Sequence, residues 1–269
     1  MLCPFLMDVR IARETGYDGV LVVGSKLRRY LREGYDTGDA CAALQGMPAL
    51  GLGNIRDVER SSPAAREKLL AEADETCRLA QAIGCGMVQV LTGPLDAASD
   101  YGEPMNNDRK ALVESAARNL RAIGEIGERY GVVFYLEALA WTPLRSLGDA
   151  VEIVERSGQA NVGLAIDFWH LWNSGATPDD VARLDGRLIR CVDVADGIGP
   201  AGTVAGSDQR GRRVWSGDGA IPLQEWVDAV RSTGFDGLWS AEVLSPQHWE
   251  LDPWTTAGDL RAQMRALLR

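Results

Sequence analysis

Four acidic residues each end a short apolar segment that is typical of a β-strand. The segments are VVFYLE, VGLAID, LIRCVD and GLWSAE, which end at Glu137, Asp167, Asp193 and Glu242. Each segment precedes loop-forming or polar residues and then a helical pattern, as in a parallel sheet. Because parallel strands present their carboxyl ends at one rim, we expect the four carboxylates to lie together. Carboxylates gathered at one rim indicate a divalent-metal site.

The available ligand types narrow the choice of metal. Carboxylate oxygens favour hard cations such as Mg²⁺ or Mn²⁺, whereas imidazole ligands would favour zinc. The chain has only two histidines, His170 and His248, which excludes a multi-zinc hydrolase site. An acidic residue at a strand end can also be a solvated loop residue or the N-cap of the next helix. Its recurrence at four strand ends favours the metal interpretation.

Helical periodicity separates the predicted strands. Apolar residues at helical spacing predict one helix from Arg66 to Ile83 and another from Asp108 to Tyr130, each followed by a strand. Ser146 and Asp149 form a predicted capping box, and Gly158 is a predicted helix stop. This alternation predicts parallel β/α units, which either a closed barrel or an open doubly wound sheet satisfies. No G-x-G-x-x-G follows a strand, so the usual reason to prefer the dinucleotide-binding sheet is missing.

The length suits a (β/α)8 TIM barrel. The chain has 269 residues, close to the roughly 250 that are typical of this fold. We therefore predict a single barrel domain over residues 1–269. Seven strand–helix units are readily identified, and an eighth strand would have to come from Met1 to Met7. Pro4 interrupts that segment, so we expect the first strand to be short or irregular.

Charge and cysteine content limit the partners and the compartment. A net charge of -10 repels phosphate backbones and anionic lipids, so we expect a small-molecule substrate and neither nucleic acid nor membrane. No apolar run approaches the roughly 18 residues of a membrane span, and the first residues lack a signal-peptide pattern. The five cysteines are odd in number and lack a C-x-x-C motif, as in reduced proteins. These features together predict a cytoplasmic protein.

Five motifs in order resemble the xylose isomerase-like barrels of the sugar phosphate isomerase/epimerase superfamily. They are LEALAW, IDFWH, CVDVAD, RRVWSGDG and SAEV, and the resemblance covers nearly the whole chain. It implies one divalent metal ion, Mn²⁺ or Mg²⁺, whose ligands are Glu137, Asp167, Asp193 and Glu242. Asp193 departs from the family, in which His or Gln is usual at this position. Dimers or tetramers are common in that family, so a homo-oligomer is also expected.

The departure at Asp193 has an electrostatic consequence. Four carboxylates around a divalent ion leave a formal charge of about −2, which weakens the Lewis acidity that the implied chemistry needs. Either one carboxyl group is protonated, because like charges raise one another's pKa, or the site is tuned differently. The remaining alternative is a barrel that has lost the metal and only binds its ligand.

The resemblance implies proton transfer next to a carbonyl group. Glu137 and Glu242 would serve both as ligands and as acid/base groups. His170 would be either a hydrogen-bond partner of a ligand or a proton donor to the substrate. Reprotonation of the carbon gives an isomerase or epimerase acting on a sugar-like or cyclitol-like compound, whereas loss of a β-hydroxyl group gives a dehydratase.

Two segments also resemble bacterial 3-dehydroshikimate dehydratases. They are EALAW at Glu137 and IRDVER at Arg56. The resemblance implies that Arg56 and Arg213 pair with a substrate carboxylate and that Trp141 and Trp215 form apolar walls of the pocket. Thr142-Pro143 departs from that branch, in which glycine is usual. We therefore predict a metal-dependent isomerase or epimerase, with the dehydratase and the metal-free binding barrel as alternatives.

Overall fold

Strands and helices alternate through residues 3–94, 108–202 and 212–269, which are the residues that this computed structural model describes. The strands are β1 (Val20–Val23), β2 (Ala49–Ile55), β3 (Met87–Leu91), β4 (Val133–Glu137), β5 (Val162–Asp167), β6 (Ile189–Val194), β7 (Asp196–Gly197), β8 (Arg213–Val214) and β9 (Leu238–Ala241). The helices are α1 (Phe5–Thr15), α2 (Gly24–Arg32), α3 (Thr37–Leu44), α4 (Pro63–Ala82), α5 (Arg109–Glu128), α6 (Leu147–Ser157), α7 (Phe168–Ser174), α8 (Pro178–Ala182), α9 (Leu223–Ser232), α10 (Pro246–Trp249) and α11 (Pro253–Leu267). Over those same ranges, none of the helices combines the length and apolarity needed to cross a membrane.

The main sheet contains seven parallel strands in the order in which they occur along the chain. That order is β1-β2-β3-β4-β5-β6-β9, and the sheet is curled into a half-barrel. A doubly wound sheet would reverse its strand order at a switch point, and this sheet does not. The predicted TIM-barrel fold class is thus confirmed. The short strands β7 and β8 form a separate antiparallel pair between β6 and α9.

Local sequence signals set the ends of several helices. The hydroxyl group of Ser62 accepts the backbone N–H of Ala65, so α4 begins three residues earlier than the predicted start at Arg66. The predicted capping box at the start of α6 is confirmed, because Ser146 and Asp149 accept each other's backbone N–H groups. Gly158 ends the same helix at φ 67°, in the left-handed conformation that glycine adopts easily.

The prediction of a strand from Met1 to Met7 was wrong for the described part of that segment. Helix α1 begins at Phe5, and the backbone N–H groups of Met7 and Asp8 donate to the carbonyl oxygen of Pro4. Pro4 itself has an extended backbone and provides the N-terminal boundary of the helix. Met1 and Leu2 lie outside the described residues. The seven-stranded sheet therefore gains no strand from residues 3–7.

Side chains fill the inner face of the sheet below the rim. Tyr135, Ala165 and Cys191 form a buried cluster there, with Leu21, Met87 and Leu238 packed against it. Successive residues of a strand point to opposite faces, so a residue two positions further along points the same way. Glu137, Asp167 and Asp193 follow the three cluster residues at that interval. The carboxylates therefore lie directly above this small apolar layer, whereas the larger core packs the helices against the outer face.

Candidate functional site

The predicted strand-end positions of the four acidic residues are confirmed. Glu137 and Asp167 are the last residues of β4 and β5, Asp193 is the penultimate residue of β6, and Glu242 follows β9 directly. Asp167 pairs in register with Asp193, which pairs in turn with Ser240. Because these strands are parallel neighbours, their acidic side chains share one rim. We refer to Glu137, Asp167, Asp193 and Glu242 together as the acidic cluster.

Most of the acidic cluster is shielded from water. Glu137 and Asp193 are each 5% exposed and Asp167 is 1% exposed, whereas about a third of the Glu242 side chain is accessible. Asp167 Oδ1 accepts the backbone N–H of His170 at 2.8 Å, which also caps helix α7. Asp167 Oδ2 is buried and has no hydrogen-bond donor. A buried carboxylate oxygen without a donor is costly unless a cation lies near it.

Arg213 brings one positive charge to the acidic cluster. Its side chain is 3% exposed, and its Nη1 atom lies 2.8 Å from Glu242 Oε2 and 3.6 Å from Asp167 Oδ2. The guanidinium carbon lies 4.5 Å from the centroid of the Trp169 ring, in cation–π geometry. We predicted that Arg213 contacts substrate; the structure places it directly beside two of the predicted metal ligands.

The hydrogen bond from Ala140 indicates which nitrogen of His170 carries the proton. The Nδ1 atom of His170 accepts the backbone N–H of Ala140 at 3.1 Å. A neutral imidazole accepts at only one nitrogen, so this bond favours the tautomer with the proton on Nε2, in which the 3.2 Å contact between Nε2 and Arg213 Nη2 is not a hydrogen bond. Burial and then the charge of Arg213 hold the pKa of His170 well below its usual value. His170 is therefore a neutral N–H donor, 3.4 Å from Glu137 Oε1.

Gln89 contacts the other oxygen of Glu137. The side-chain amide of Gln89, on strand β3, donates to Glu137 Oε2 at 2.6 Å. Gln89 and His170 thus face different oxygens of the same carboxyl group. Hydrogen bonds of this kind orient a ligating carboxylate and restrict its rotamers.

Burial and mutual repulsion raise the pKa values of the acidic cluster. The pKa of Glu137 lies well above its usual value because the group is buried and because Asp167, Glu242 and Asp193 surround it. Burial, followed by the charges of Glu242 and Asp167, raises the pKa of Asp193 to about 8. The cluster therefore holds protons at neutral pH when no external cation is bound, and a divalent ion would displace them.

The donor set fits a hard divalent cation. In the described ranges, one group of three residues has ligand atoms within 4.8 Å of one another, namely Glu137, Asp167 and His170. Because the favoured tautomer of His170 carries its proton on Nε2, the ligand atoms that fit best are carboxylate oxygens, above all Asp167 Oδ2, which accepts no hydrogen bond. Asp193 and Glu242 are outside that compact group. The role of all four acidic residues as ligands stays a prediction.

The other three predicted substrate-binding residues have separate surroundings. Arg56 is exposed on the loop after β2 and lines a cavity of about 2170 Å³ that also reaches Asp193 and Glu242. The ring centroid of Trp141 lies 4.9 Å from that of His170. Trp215 packs edge-on against His248, with ring centroids 4.3 Å apart. Their contact with a substrate stays a prediction.

Three further residues of this site were not predicted from the sequence. Gln89 lies within the apolar strand segment MVQVL. The signal that could have identified it is a single polar residue in an otherwise apolar strand. Trp169 lies in the quoted motif IDFWH, but nothing in the sequence shows that its ring lies against Arg213. Asp196 ends the motif CVDVAD and accepts four backbone N–H groups, one from Gly197 in β7 and three from the segment after β8.

Comparisons with known proteins agree with this architecture. The inosose isomerase of Bacillus velezensis is 31% identical over 155 residues, which cover 55% of this chain and 54% of that protein. The chain thus aligns with about half the length of the inosose isomerases that it matches. The 3-dehydroshikimate dehydratase of Pseudomonas aeruginosa is 30% identical over 231 residues, which cover 86% of this chain and 34% of that protein. Relatives of this chain are thus isomerases, an epimerase and dehydratases.

Solved structures share the fold at low sequence identity. The crystal structure of IolI with a bound zinc atom superimposes with a TM-score of 0.88, 20% identity and coverage of 99% of this chain and 93% of that one. D-psicose 3-epimerase of Clostridium cellulolyticum H10 with D-tagatose gives a TM-score of 0.76, 16% identity and coverage of 99% and 94%. The family profile described as xylose isomerase-like TIM barrel matches residues 9–268. The chain therefore belongs to the xylose isomerase-like TIM barrel family.

Proposed function

We propose that this protein is a divalent-metal-dependent enzyme that enolises a polyhydroxylated carbonyl compound, as a sugar or cyclitol isomerase or epimerase. The observation that carries the proposal is the largely buried acidic cluster, in which Asp167 Oδ2 accepts no hydrogen bond and which lies beside the neutral imidazole of His170 and the cation Arg213. The inosose isomerase and D-psicose 3-epimerase relatives support this class of substrate.

Carboxylate oxygens of Glu137, Asp167, Asp193 and Glu242 would hold the metal. A bound Mn²⁺ or Mg²⁺ ion would polarise the substrate carbonyl and acidify the neighbouring C–H bond. A net charge of −2 around it would oppose this effect. Arg213 contributes one positive charge beside the acidic cluster and so partly offsets that negative charge.

Glu137 and Glu242 would move the proton. Both have raised pKa values, chiefly because burial disfavours their charged forms, which suits carboxyl groups that take up and release a proton. Gln89 and His170 hold Glu137 from one side, and Arg213 holds Glu242 from the other. We infer that one glutamate removes the proton next to the carbonyl and the other returns a proton. The N–H group of His170 Nε2 would donate a hydrogen bond to a substrate oxygen.

Dehydration of a 3-dehydroshikimate-like compound is the second candidate. The alignment with the Pseudomonas aeruginosa dehydratase supports it, because it covers 86% of this chain. In that reaction a β-hydroxyl group leaves after the same proton removal. Arg56, exposed beside the cavity, and Arg213 would then pair with the substrate carboxylate.

One experiment separates these candidates from a metal-free binding protein. The protein is purified without chelators, its metal content is measured, and it is incubated with ketoses, inososes and 3-dehydroshikimate in D₂O. Deuterium in recovered sugar or cyclitol is the result expected for an isomerase or epimerase, and a new ultraviolet-absorbing aromatic product indicates the dehydratase. Substoichiometric metal without activation by Mn²⁺ would leave only the binding barrel.

Variants test the assigned residues directly. We expect Glu137→Gln and Glu242→Gln to abolish turnover, because each removes a proton-transfer group. Glu114→Gln, on the exposed face of α5, is the matched control and should keep full activity. Full activity in either active-site variant would refute the assignment. One domain over residues 1–269, a cytoplasmic location and homo-oligomerisation also stay predictions.

A further inference from the structure

Asp196 is a buried carboxylate that is saturated with backbone donors. It is 1% exposed, and its Oδ1 accepts the N–H groups of Gly197 at 2.7 Å and Ile221 at 3.3 Å. Its Oδ2 accepts those of Gly217 at 2.8 Å and Gly219 at 3.1 Å. Donors from two separate segments of the chain therefore meet at one side chain. Such an arrangement fixes both the carboxylate and the backbone around it.

Glycines make this close approach possible. A Cβ atom at Gly219 would lie 2.0 Å from Asp196 Oδ1, which no side chain permits. Gly217 has φ +98°, in the region that favours glycine. Glycine at positions 217 and 219 thus allows the loop after β8 to fold closely around the carboxylate of Asp196.

Strand β8 carries Arg213, and the loop that follows it begins at Trp215. Asp196 and Gly197 form β7, which pairs with β8, and in that pair Gly197 lies opposite Arg213. Gly197 also packs closely against Trp169, because a Cβ atom there would lie 2.6 Å from the ring. The Trp169 ring in turn lies under the guanidinium group of Arg213. Asp196 therefore holds the backbone on either side of the segment that carries Arg213.

We propose that Asp196 is a positioning residue that sets Arg213 against the acidic cluster and so determines how tightly the substrate is held. This inference rests on the proposed function in one respect, the contact between Arg213 and the substrate. Arginine has a long side chain, and much of its conformational freedom must be lost before it can serve a bound ligand. The hydrogen bonds between Asp196 and the loop after β8 restrict Arg213 before the substrate binds. A side chain that is already held in its binding conformation loses less entropy on binding, which improves affinity.

A double-mutant cycle tests the inference in the Mn²⁺-loaded protein. The variants are Asp196→Asn, Arg213→Lys and their combination, and the substrate is whichever of inosose and 3-dehydroshikimate the wild type converts. Asparagine turns one acceptor oxygen into an NH₂ donor that faces backbone N–H groups. We expect Asp196→Asn to raise KM by roughly tenfold or more with a smaller change in kcat. If Asp196 acts through Arg213, the KM of the double variant should differ from that of Arg213→Lys alone by less than about twofold. Additive effects would overturn the inference.

Asp149→Asn is the matched control. Asp149 is also a buried carboxylate, 5% exposed, that accepts a backbone N–H, but it caps α6. We expect it to lower the Tm without changing KM. If Asp149→Asn raises KM as much as Asp196→Asn does, the effect is a general loss of stability and the inference is wrong.

A second readout needs no substrate. The side-chain N–H groups of Arg213 should exchange slowly with solvent in the wild type, as followed by ¹⁵N NMR, and should lose that protection in Asp196→Asn but not in Asp149→Asn. Retained protection in Asp196→Asn would overturn the inference even if the proposed function is correct. Conversely, if Arg213→Lys leaves KM unchanged, the role of Arg213 in the proposed function is wrong, and the exchange measurement alone decides the role of Asp196. If Asp196→Asn does not fold, Gly217→Ala replaces it, because a Cβ atom at that position meets no other atom but the backbone conformation at φ +98° strains the loop that Asp196 holds.

Discussion

Glu59 offers a quantitative test of how burial controls ionisation in this protein. Its side chain is 1% exposed, and both of its oxygens accept the backbone N–H of Gly93, at 3.0 and 3.2 Å. Burial is the main cause that raises the pKa of Glu59 to about 8, and nearby Asp57 raises it further. The unfolded chain should show the ordinary glutamate value of about 4.3. The folded state therefore binds the proton more tightly than the unfolded state does.

The sign of the pH dependence follows from this difference. Below about pH 4.3 the group is protonated in both states and its contribution to stability is fully present. As the pH rises from there to about 8, the unfolded state ionises while the folded state does not, so the free energy of unfolding falls. The fall is about 1.4 kcal/mol per pH unit until the folded group itself begins to ionise, which gives roughly 2.3 kcal/mol between pH 6 and pH 8 and roughly 2.7 kcal/mol between pH 6 and pH 9.

Glu59→Gln removes this dependence, because the amide does not ionise but keeps an oxygen that can accept the N–H of Gly93. We expect the free energy of unfolding of the variant, relative to wild type, to increase by roughly 2.7 kcal/mol between pH 6 and pH 9. Urea unfolding of the metal-free proteins at both pH values measures the change. Glu114→Gln, on an exposed position, should show no such change. An equal difference between Glu59→Gln and wild type at both pH values would refute the reasoning.

Three further predictions follow from the site and the fold. Gln89→Leu should weaken divalent-metal binding by about 10–100-fold in calorimetry, because Glu137 loses the donor that orients it; unchanged affinity would contradict this role. Asp193→Asn in the metal-free protein should lose less stability than wild type between pH 6 and pH 9, because burial raises the pKa of Asp193 to about 8; parallel pH curves in urea unfolding would argue against this. Ser146→Ala should cost about 1 kcal/mol in urea unfolding by removing the α6 cap, while turnover stays unchanged.

The fold class and the strand-end acids were predictable from local patterns. A parallel strand that is buried on both faces requires a continuous apolar run, so VVFYLE and VGLAID indicate strands whose final residues emerge at the rim. Helix caps such as Ser146 were predictable because a cap depends only on residues within one turn of the helix. The segment from Met1 to Met7 was predicted to be a strand because a closed barrel needs an eighth strand. Pro4 is instead the N-terminal boundary of a helix. Phe5–Met7 instead form the first turn of α1.

The ionisation and orientation of the site depend on contacts between residues that are far apart in the sequence. The proton of His170 is placed by the backbone amide of Ala140, and Glu137 is oriented by Gln89, 48 residues before it. No local pattern encodes these pairs, since they form only when separate strands become neighbours.

The sequence by itself determined the kind of fold, the acidic residues at the strand ends and the caps of several helices, because periodicity and capping act over a few neighbouring residues. Only the tertiary structure decided that Arg213 lies against the acidic cluster and that Asp196 holds its loop. Electrostatic and hydrogen-bond energies depend on distances through space, and the folded chain sets those distances.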